Sequence, residues 1–313
     1  SRISTSGSKY KKRVQVDNNG NIIFLIESTA ESLTFGNQSV NNGPLSLCGS
    51  NDISGPLYHT SLAKLDTNGN TVYLIHITGP EGGRNASLTT DYNDNIYISG
   101  ELLAQNEFWM SSYSGVLSNT NHILGFHFEG VYLQKLDTYG NHVFSRYITN
   151  MNGTLMNGTH VKVKSKVIQL GDFVFQSVSY PVGNNNIFIH NGSSFIDTVI
   201  TTGDDVLLKF NTSGDFIASY DDSYHWPDEV FSNNLLNITG DTIFELDTTN
   251  LNVLGTHIYP GLSDIQINGD EMILTLANEM IIVDTNFLTI NTISLVGIYN
   301  DGAVYLHNDG GLI

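Results

Sequence analysis

Apolar and polar residues alternate with a period of two along most of this chain, and short polar turns interrupt the alternation. Three segments align without a gap, namely Leu62–Val72, Leu133–Val143 and Leu207–Ile217. Each has a strand-forming stretch, then Asp or Asn, a turn that contains Gly, and a second stretch of strand-forming residues. This order is typical of a β-hairpin. Weaker copies at Ile243–Leu254 and Ile281–Ile290 extend the hairpin repeat into the second half of the chain.

A second type of hairpin alternates with the first. Its clearest copies are Val14–Ile26 and Thr89–Gly100, and looser copies are Val167–Val178, Asp264–Leu276 and Gly297–His307. One hairpin of each type makes a four-stranded unit. Helical periodicity is almost absent, since Asn, Gly, Thr and β-branched residues dominate the repeats. The pattern therefore predicts an all-β repeat protein.

The spacing of the repeats predicts the kind of repeat fold. Asn211, Asp247 and Asp284 follow one another at intervals of 36 and 37 residues. These intervals are close to the roughly 40–50 residues of a four-stranded propeller blade. We therefore expect a β-propeller of about six four-stranded blades, five complete and one partial, with a range of five to seven. The expected boundaries are a basic N-terminal arm at 1–13 and blades at 14–79, 87–149, 160–220, 229–260, 263–296 and, in part, 297–313.

The partial last blade leaves open how the propeller closes. An open propeller would expose sheet edges, so other residues must supply the missing strands. Residues 1–13, further chain beyond Ile313 and a partner chain are the three alternatives.

The first three blades carry insertions between their second and third strands. Asp66, Asp137 and Asn211 lie 71 and 74 residues apart, about twice the later spacing. The extra residues fall at 27–56, 101–130 and 181–203. Long insertions on one face of a repeat array often form binding surfaces. Equally, they could cover strand edges or pack between blades.

The net charge of the chain narrows the classes of partner. Its 313 residues include 31 Asp and Glu against 13 Lys and Arg, which gives a net charge of -18. Residues 1–166 hold 12 acidic and 12 basic side chains, whereas 167–313 hold 19 acidic ones and a single basic one. Such a surface repels nucleic acid and anionic lipid, and no apolar run approaches the roughly 18 residues of a membrane helix. We expect no nucleic-acid partner and no membrane insertion.

The basic side chains are concentrated at the N-terminus. The cluster consists of Arg2, Lys9, Lys11, Lys12 and Arg13. Because opposite potentials attract, this arm could lie on the acidic surface of its own chain or of a neighbouring copy. It could equally be a solvated terminus. A neutral half and an acidic half favour self-assembly through charge-polarised faces.

Two hairpins of the first half share a motif with a known family. In the first hairpin, the matching residues are Asp91, Asn95, Ile96, Tyr97 and Gly100. In the second hairpin, they are Lys64, Leu65, Asp66, Gly69 and Asn70, and again Lys135, Leu136, Asp137, Gly140 and Asn141. These hairpins resemble the SBBP-type β-propeller repeat of surface and secreted proteins. The resemblance covers 14–220 by residues and 221–313 by pattern alone. It implies a propeller scaffold with recognition or structural roles at a cell or particle surface, and no single catalytic residue.

Motifs that would indicate catalysis or metal binding are absent or incomplete. The segments 17–21, 66–70 and 91–95 match the opening of a calcium loop, but Gly at the sixth and Glu at the twelfth position are missing. No HExxH, G-x-S-x-G, P-loop or helix-opening G-x-G-x-x-G occurs. We therefore predict no catalytic residue, no metal ligand and no cofactor, with Ca²⁺ as a weak alternative.

Aromatic residues beside carboxylates give the best candidate binding residues. The loop 215–229 holds five carboxylates around two Tyr, a His and a Trp, a combination that suits sugar recognition or acid–base chemistry on a glycoside. A solvated acidic loop is the alternative. The second insertion adds two aromatic residues. The candidates are Trp109, Tyr113, Asp221, Asp222, Tyr224, His225 and Trp226.

The sequence favours a non-enzymatic β-propeller displayed on a surface. We expect a structural or assembly module, or an adhesion module that binds protein or glycan. The expected location is extracellular, at a cell surface or at a virion surface. The alternative function is a propeller enzyme acting on polysaccharide, either a glycoside hydrolase or a lyase. An enzyme should gather ionisable groups at one end of a channel, whereas an adhesion or assembly module should expose apolar side chains.

Overall fold

The structure is a computed structural model in which every described element is a β-strand. The described residues are 3–4, 10–28, 32–41, 59–77, 82–104, 128–149, 166–179, 186–190, 195–200, 205–220, 227 and 229–294. The strands in chain order are β1 (Ile3–Ser4), β2 (Tyr10–Val16), β3 (Ile22–Ser28), β4 (Ser32–Phe35), β5 (Gln38–Asn41), β6 (His59–Leu65), β7 (Thr71–His76), β8 (Gly82–Thr90), β9 (Ile96–Ala104), β10 (Phe128–Leu136), β11 (His142–Thr149), β12 (Lys166–Leu170), β13 (Phe173–Ser179), β14 (Asn186–His190), β15 (Phe195–Ile200), β16 (Asp205–Asn211), β17 (Phe216–Tyr220), β18 (Glu229–Phe231), β19 (Asn234–Thr239), β20 (Thr242–Leu246), β21 (Val253–Ile258), β22 (Asp264–Asn268), β23 (Glu271–Thr275), β24 (Glu279–Val283) and β25 (Thr289–Ser294).

Five sets of four antiparallel strands form the blades of a β-propeller. The blades are β2–β3–β6–β7, β8–β9–β10–β11, β12–β13–β16–β17, β18–β19–β20–β21 and β22–β23–β24–β25, named blades 1 to 5. The predicted all-β propeller and its five complete blades are thus confirmed. The predicted partial blade at 297–313 lies outside the described residues.

The blades are distributed over two compact units. Unit 1 is Ser1–Trp226 and holds blades 1 to 3, and unit 2 is Pro227–Ile313 and holds blades 4 and 5. Blade 1 begins at Tyr10, because residues 10–13 pair with Leu25–Ser28 of β3 and so continue the hairpin into the segment predicted as a basic arm. The part of the chain that the structure describes contains no helix able to span a membrane.

Two of the predicted insertions cover parts of the blades. The hairpin β4–β5 pairs with β1 in a three-stranded sheet and buries Leu33, Phe35 and Val40 against blade 1. The hairpin β14–β15 adds to β11, so the sheet of blade 2 has six strands. These hairpins match the alternative in which insertions cover strand edges and faces. Residues 105–127 of the second insertion lie outside the described part.

Apolar side chains fill the space between neighbouring blades within each unit. Because side chains alternate across a strand, each blade presents one apolar row to the blade before it and another to the blade after it. Blades 1 and 2 share the core of Ile23, Leu25, Leu62, Tyr73, Ile75, Ile77, Ala86, Ile96, Ile98, Tyr132, Leu136 and Tyr147. Blades 2 and 3 share a second core around Val131, Leu133, Val174 and Leu208. In unit 2, Leu236, Ile243, Met272 and Leu274 join blades 4 and 5. The turns between strands are therefore fixed by packing on both sides.

Candidate functional site

The predicted binding residues lie outside the described part of the chain. Trp109 and Tyr113 belong to 105–127, and Asp221, Asp222, Tyr224, His225 and Trp226 belong to 221–226. Their proposed role in binding stays a prediction. The described residues instead show how the turns of unit 1 are built and which side chains they expose.

The acidic turns are held by hydrogen bonds inside each turn. In the turn 66–70, Asp66 Oδ1 accepts the amides of Asn68 and Asn70 at 2.9 and 2.8 Å, and Asp66 Oδ2 accepts Asn70 Nδ2 at 2.9 Å. Asp17, Asp91 and Asp137 repeat this arrangement with the residues two and four positions later. The oxygens that matched a calcium loop thus accept N–H donors in turns. Among the described residues, no group of three or more His, Cys, Asp or Glu could hold a metal ion.

Lys64 joins blade 1 to blade 2. Its Nζ lies 2.8 Å from Asp17 Oδ2 of its own blade, and both side chains are almost fully buried. The same Nζ donates to the carbonyl and to the hydroxyl of Thr138, at 3.2 and 3.1 Å, in the β10–β11 turn of blade 2. A buried ammonium group needs such partners, because desolvation of an unpaired charge is costly. The ion pair therefore fixes the first hairpin of one blade to the last turn of the next.

Lys135 repeats this contact between blades 2 and 3. Its Nζ donates to the carbonyl of Thr212 at 2.9 Å and lies 3.9 Å from Asp91 Oδ2. Burial lowers the pKa of Lys135, and the charge of Asp91 opposes that effect. The repeated Lys of the sequence motif is therefore an inter-blade contact, with its partners supplied by two different blades.

Asp17 makes part of the stability of unit 1 depend on pH. Burial alone would raise the pKa of Asp17, but hydrogen bonds from Lys64 and Asn21 outweigh burial and hold that pKa below 3.8. A lowered carboxyl pKa stabilises the folded state above its ordinary value, and this stability disappears as the pH falls through the folded-state pKa. We expect thermal unfolding in a pH series to show unit 1 losing stability below about pH 4. The Asp17→Asn variant should lose that part of the pH dependence, and an unchanged pH profile would contradict this assignment.

The first turns of blades 1 and 2 also bind each other directly. The amide of Asn18 donates to Asp94 Oδ1 at 2.8 Å, and Asn18 Nδ2 donates to the carbonyl of Tyr92 at 3.1 Å. Asn19 Nδ2 donates to Asp94 Oδ2. The carboxylates of Asp17, Asp91 and Asp94 are thus buried and occupied by donors at this end of the blades.

The fourth strand of every described blade contains a β-bulge at the same place. Two consecutive residues of the third strand pair with fourth-strand residues that are two positions apart, which leaves one extra residue on the fourth strand. The extra residues are Val72, Val143, Ile217, Leu254 and Ile290. All five are aliphatic and between 49% and 58% exposed. Bulges at sheet edges are ordinary, but a solvent-facing position does not require an aliphatic side chain.

Two tyrosines protrude from the turns of blade 2. Tyr92 follows Asp91 in the β8–β9 turn, and Tyr139 lies in the β10–β11 turn. Their side chains are 74% and 76% exposed, more than any other aromatic side chain in the described residues. The β8–β9 turn joins the first strand of blade 2 to the second, and the β10–β11 turn joins the third strand to the fourth. In an antiparallel sheet these two turns lie at the same end of the blade.

The last turns of blades 2 and 3 pack against an aromatic ring of the preceding blade. A Cβ added at Gly140 would lie 3.3 Å from the ring of Tyr73, and one added at Gly214 would lie 2.8 Å from the ring of Phe144. Unit 2 reverses the arrangement. Phe287 occupies the turn position of the glycine with a φ of 58°, and its ring stacks on His257 of blade 4 at 3.7 Å between ring centroids.

His257 also bonds a carboxylate of its own blade. Its Nε2 lies 3.1 Å from Glu245 Oε2, and Asn234 Nδ2 donates to Glu245 Oε1 at 3.1 Å. The side chains of His257 and Glu245 are only partly exposed. This pair, like Lys64 and Lys135, connects the turn of one blade to the sheet of another.

Sequence reasoning missed the bulge residues and the exposed tyrosines. The bulge residues recur once in each blade, and the two tyrosines lie far along the chain from the acidic loop 215–229, so neither set stands out as a cluster of aromatic and acidic residues. The signal was present, because an aliphatic residue follows the Gly-Asn pair by two positions in Val72 and Val143. The direction of those side chains depends on the bulge. A bulge arises from the pairing of two strands, so the sequence of one strand does not reveal it.

Comparisons with known proteins identify no family for this chain. No protein-family model matches it, and no curated protein is similar enough in sequence to be a relative. The likeness to the SBBP repeat therefore stays a prediction. Among solved structures, a protein of unknown function from Bacteroides caccae is similar with a TM-score of 0.39 and 7% identity over 93% of both chains. BamB from Moraxella catarrhalis is similar with a TM-score of 0.27 and 10% identity, over 93% of this chain and 99% of that chain. These similarities are too distant to assign a function.

Proposed function

We propose that this protein is a non-enzymatic β-propeller displayed on a cell or virion surface, where it acts as a structural or assembly module. The observation that carries the proposal is the exposed aliphatic residue at the bulge of all five described blades. An apolar side chain repeated at an exposed position offers the same contact several times over. Repeated contacts of this kind strengthen one another when several engage together.

The buried charges of unit 1 support a rigid scaffold. Lys64 and Lys135 are committed to contacts between blades, and Asp17 and Asp91 are committed to their turns. Each of these groups serves the packing of the blades. A rigid scaffold lowers the entropy cost of association, because the contacting side chains are already in place.

The partner that the charges favour is a second copy of the chain. Residues 227–313 contain 12 acidic residues and no Lys or Arg, whereas residues 1–13 contain five basic residues and no acidic one. Copies that place these segments near each other gain attraction of opposite charges. High salt should therefore weaken the association.

Two strand edges favour association through side chains over association by strand addition. On β15, the amide of Thr198 donates to Asp197 Oδ1 at 2.7 Å, and on β25, the amide of Thr292 donates to Asn291 Oδ1 at 2.8 Å. A capped edge amide is a poor donor for an incoming strand. The exposed aliphatic side chains are then the better candidates for contact.

The variant Val72→Thr/Val143→Thr/Ile217→Thr tests the proposal. Thr keeps the β-branched shape but adds a hydroxyl group, so burial of these positions against a partner becomes unfavourable. In sedimentation velocity over a concentration series, we expect the unchanged protein to self-associate and the variant to shift towards monomer by at least tenfold in concentration. The expected loss is about 0.5–1 kcal/mol for each contact.

A matched control uses exposed aliphatic residues that do not lie at bulges. The variant Val14→Thr/Val16→Thr changes two such positions on β2, which are 55% and 56% exposed and regularly paired with β3, and it should self-associate like the unchanged protein. A protein that stays monomeric at every concentration would overturn the assembly role. Cleavage of a polysaccharide by the purified protein would overturn its non-enzymatic character.

A further inference from the structure

The exposed tyrosines of blade 2 lie in turns, whereas the bulge residues lie on strands. Tyr92 and Tyr139 lie in two turns at the same end of one sheet. The turns are two strand spacings apart, which is about 10 Å. One extended ligand is long enough to reach both turns.

Hydrogen bonds hold the backbone of both turns in place. In the Tyr92 turn, Asp91 accepts the amides of Asn93 and Asn95, and the carbonyl of Tyr92 accepts Asn18 Nδ2. In the Tyr139 turn, Asp137 Oδ1 accepts the amide of Tyr139 at 2.9 Å. The residue before Tyr139 accepts Lys64 through its carbonyl and hydroxyl. Binding would therefore order only the two torsions of each Tyr side chain, which is a small cost.

The exposed side chains of the turns beside the rings are mostly amides. These side chains are Asn18, Asn19, Asn68, Asn70, Asn93 and Asn141. An Asn amide group both donates and accepts hydrogen bonds and carries no charge. The neighbouring carboxylates of Asp17, Asp91 and Asp94 are buried and accept donors from within the turns. Asp66 and Asp137 are only half-buried, but they too accept amides within their turns. The surface therefore combines two apolar ring faces with hydrogen-bonding groups that are mostly neutral.

We propose that Tyr92 and Tyr139 form a binding surface for a neutral oligosaccharide. A pyranose ring presents an apolar C–H face that stacks on an aromatic ring, and its hydroxyl groups bond to amides. An anionic ligand would meet Asp91, Asp94 and Asp137 in these two turns, which contain no Lys or Arg, whereas a neutral sugar avoids that repulsion. An oligosaccharide long enough to reach both turns contacts both rings at once. This site does not depend on self-association of the chain.

The test measures binding of neutral hexasaccharides to the full chain. The probes are maltohexaose, cellohexaose, mannohexaose and chitohexaose. Binding of each probe is measured by isothermal titration calorimetry and by NMR of the ligand. We expect at least one of them to bind. Tyr92→Ala and Tyr139→Ala should each weaken that binding about five- to tenfold, since one aromatic contact is lost. The double variant should lose it, and Tyr92→Phe/Tyr139→Phe should keep most of it.

Two comparisons separate this site from a general effect of the substitutions. Ile200→Ala removes an equally exposed apolar side chain from β15 and should leave binding unchanged. The hexasaccharide should bind better than the matching disaccharide in the unchanged protein, and this advantage should disappear in Tyr139→Ala. Absence of binding by all four probes, or equal binding by the folded double Ala variant, would overturn the proposal. Circular dichroism verifies that each variant is folded.

Discussion

Replacing Lys64 with Met is expected to destabilise unit 1 by about 3–5 kcal/mol, because the buried carboxylate of Asp17 would lose its counter-charge. Lys64 also donates to Thr138 of the next blade, so the variant loosens the contact between blades 1 and 2 as well. Met fills a similar volume, which limits any effect of an empty cavity. Equilibrium chemical denaturation measures the free energy of unfolding.

Two further variants show whether the unpaired charge is the cause. In Lys64→Met/Asp17→Asn, both charges of this pair are removed, and we expect about half of the lost stability to return. Lys135→Met should cost less than Lys64→Met, because Lys135 Nζ lies 3.9 Å from its carboxylate rather than 2.8 Å and is more exposed. A loss below about 1 kcal/mol for Lys64→Met would place this pair with ordinary surface ion pairs and contradict its assigned role.

The hairpin repeat was predictable because its signals are local. A turn such as 66–70 needs a side chain at Asp66 that bonds the turn amides and a residue at position 69 that accepts a positive φ. Both requirements appear within five residues of sequence. The same locality explains why the five complete blades could be counted from the spacing of Asn211, Asp247 and Asp284.

Contacts between distant segments could not be predicted in the same way. The motif shows that Lys64 and Lys135 recur, but their partners Thr138 and Thr212 lie 74 and 77 residues away. The pairing of β14 with β11 likewise joins an insertion to the blade before it, and nothing in the strand sequence specifies that edge. The turn at Phe287 was recognised only as a weak copy of the hairpin, and its packing could not be predicted, because Phe287 takes the glycine conformation and stacks on His257 of another blade.

Inter-blade packing gives one rule that covers both units. Where a last turn packs against another blade, one of two arrangements occurs. Either the turn has Gly and the neighbouring strand supplies an aromatic ring, or the turn itself supplies the ring. Gly214 faces Phe144 in unit 1, and Phe287 faces His257 in unit 2. In both cases a residue with positive φ brings the turn against the next sheet. Such a residue therefore matters for packing as well as for backbone conformation.

Replacing Gly214 with Ala is expected to cost about 3–4 kcal/mol, well above the cost of the same change at Gly69. The two glycines have nearly the same backbone, with φ of 84° and 80°. A Cβ at Gly69 meets nothing within 4 Å, whereas a Cβ at Gly214 would lie 2.8 Å from the ring of Phe144. Gly69→Ala should therefore report backbone strain alone, about 1–2 kcal/mol, and Gly214→Ala should add about 1–3 kcal/mol of overpacking.

The ring of Phe144 has little room to move away from an added methyl group. Arg146 lies over that ring, with Cζ 4.9 Å from the ring centroid, and Arg146 Nε donates to the carbonyl of Gly214 at 2.6 Å. Phe144→Leu/Gly214→Ala should thus recover the overpacking cost but not the strain, apart from the loss of the aromatic contact. Chemical denaturation of these three variants and of Phe144→Leu alone separates the two contributions. Equal losses for Gly69→Ala and Gly214→Ala would show that the ring yields, and that turn conformation alone determines the stability of this junction.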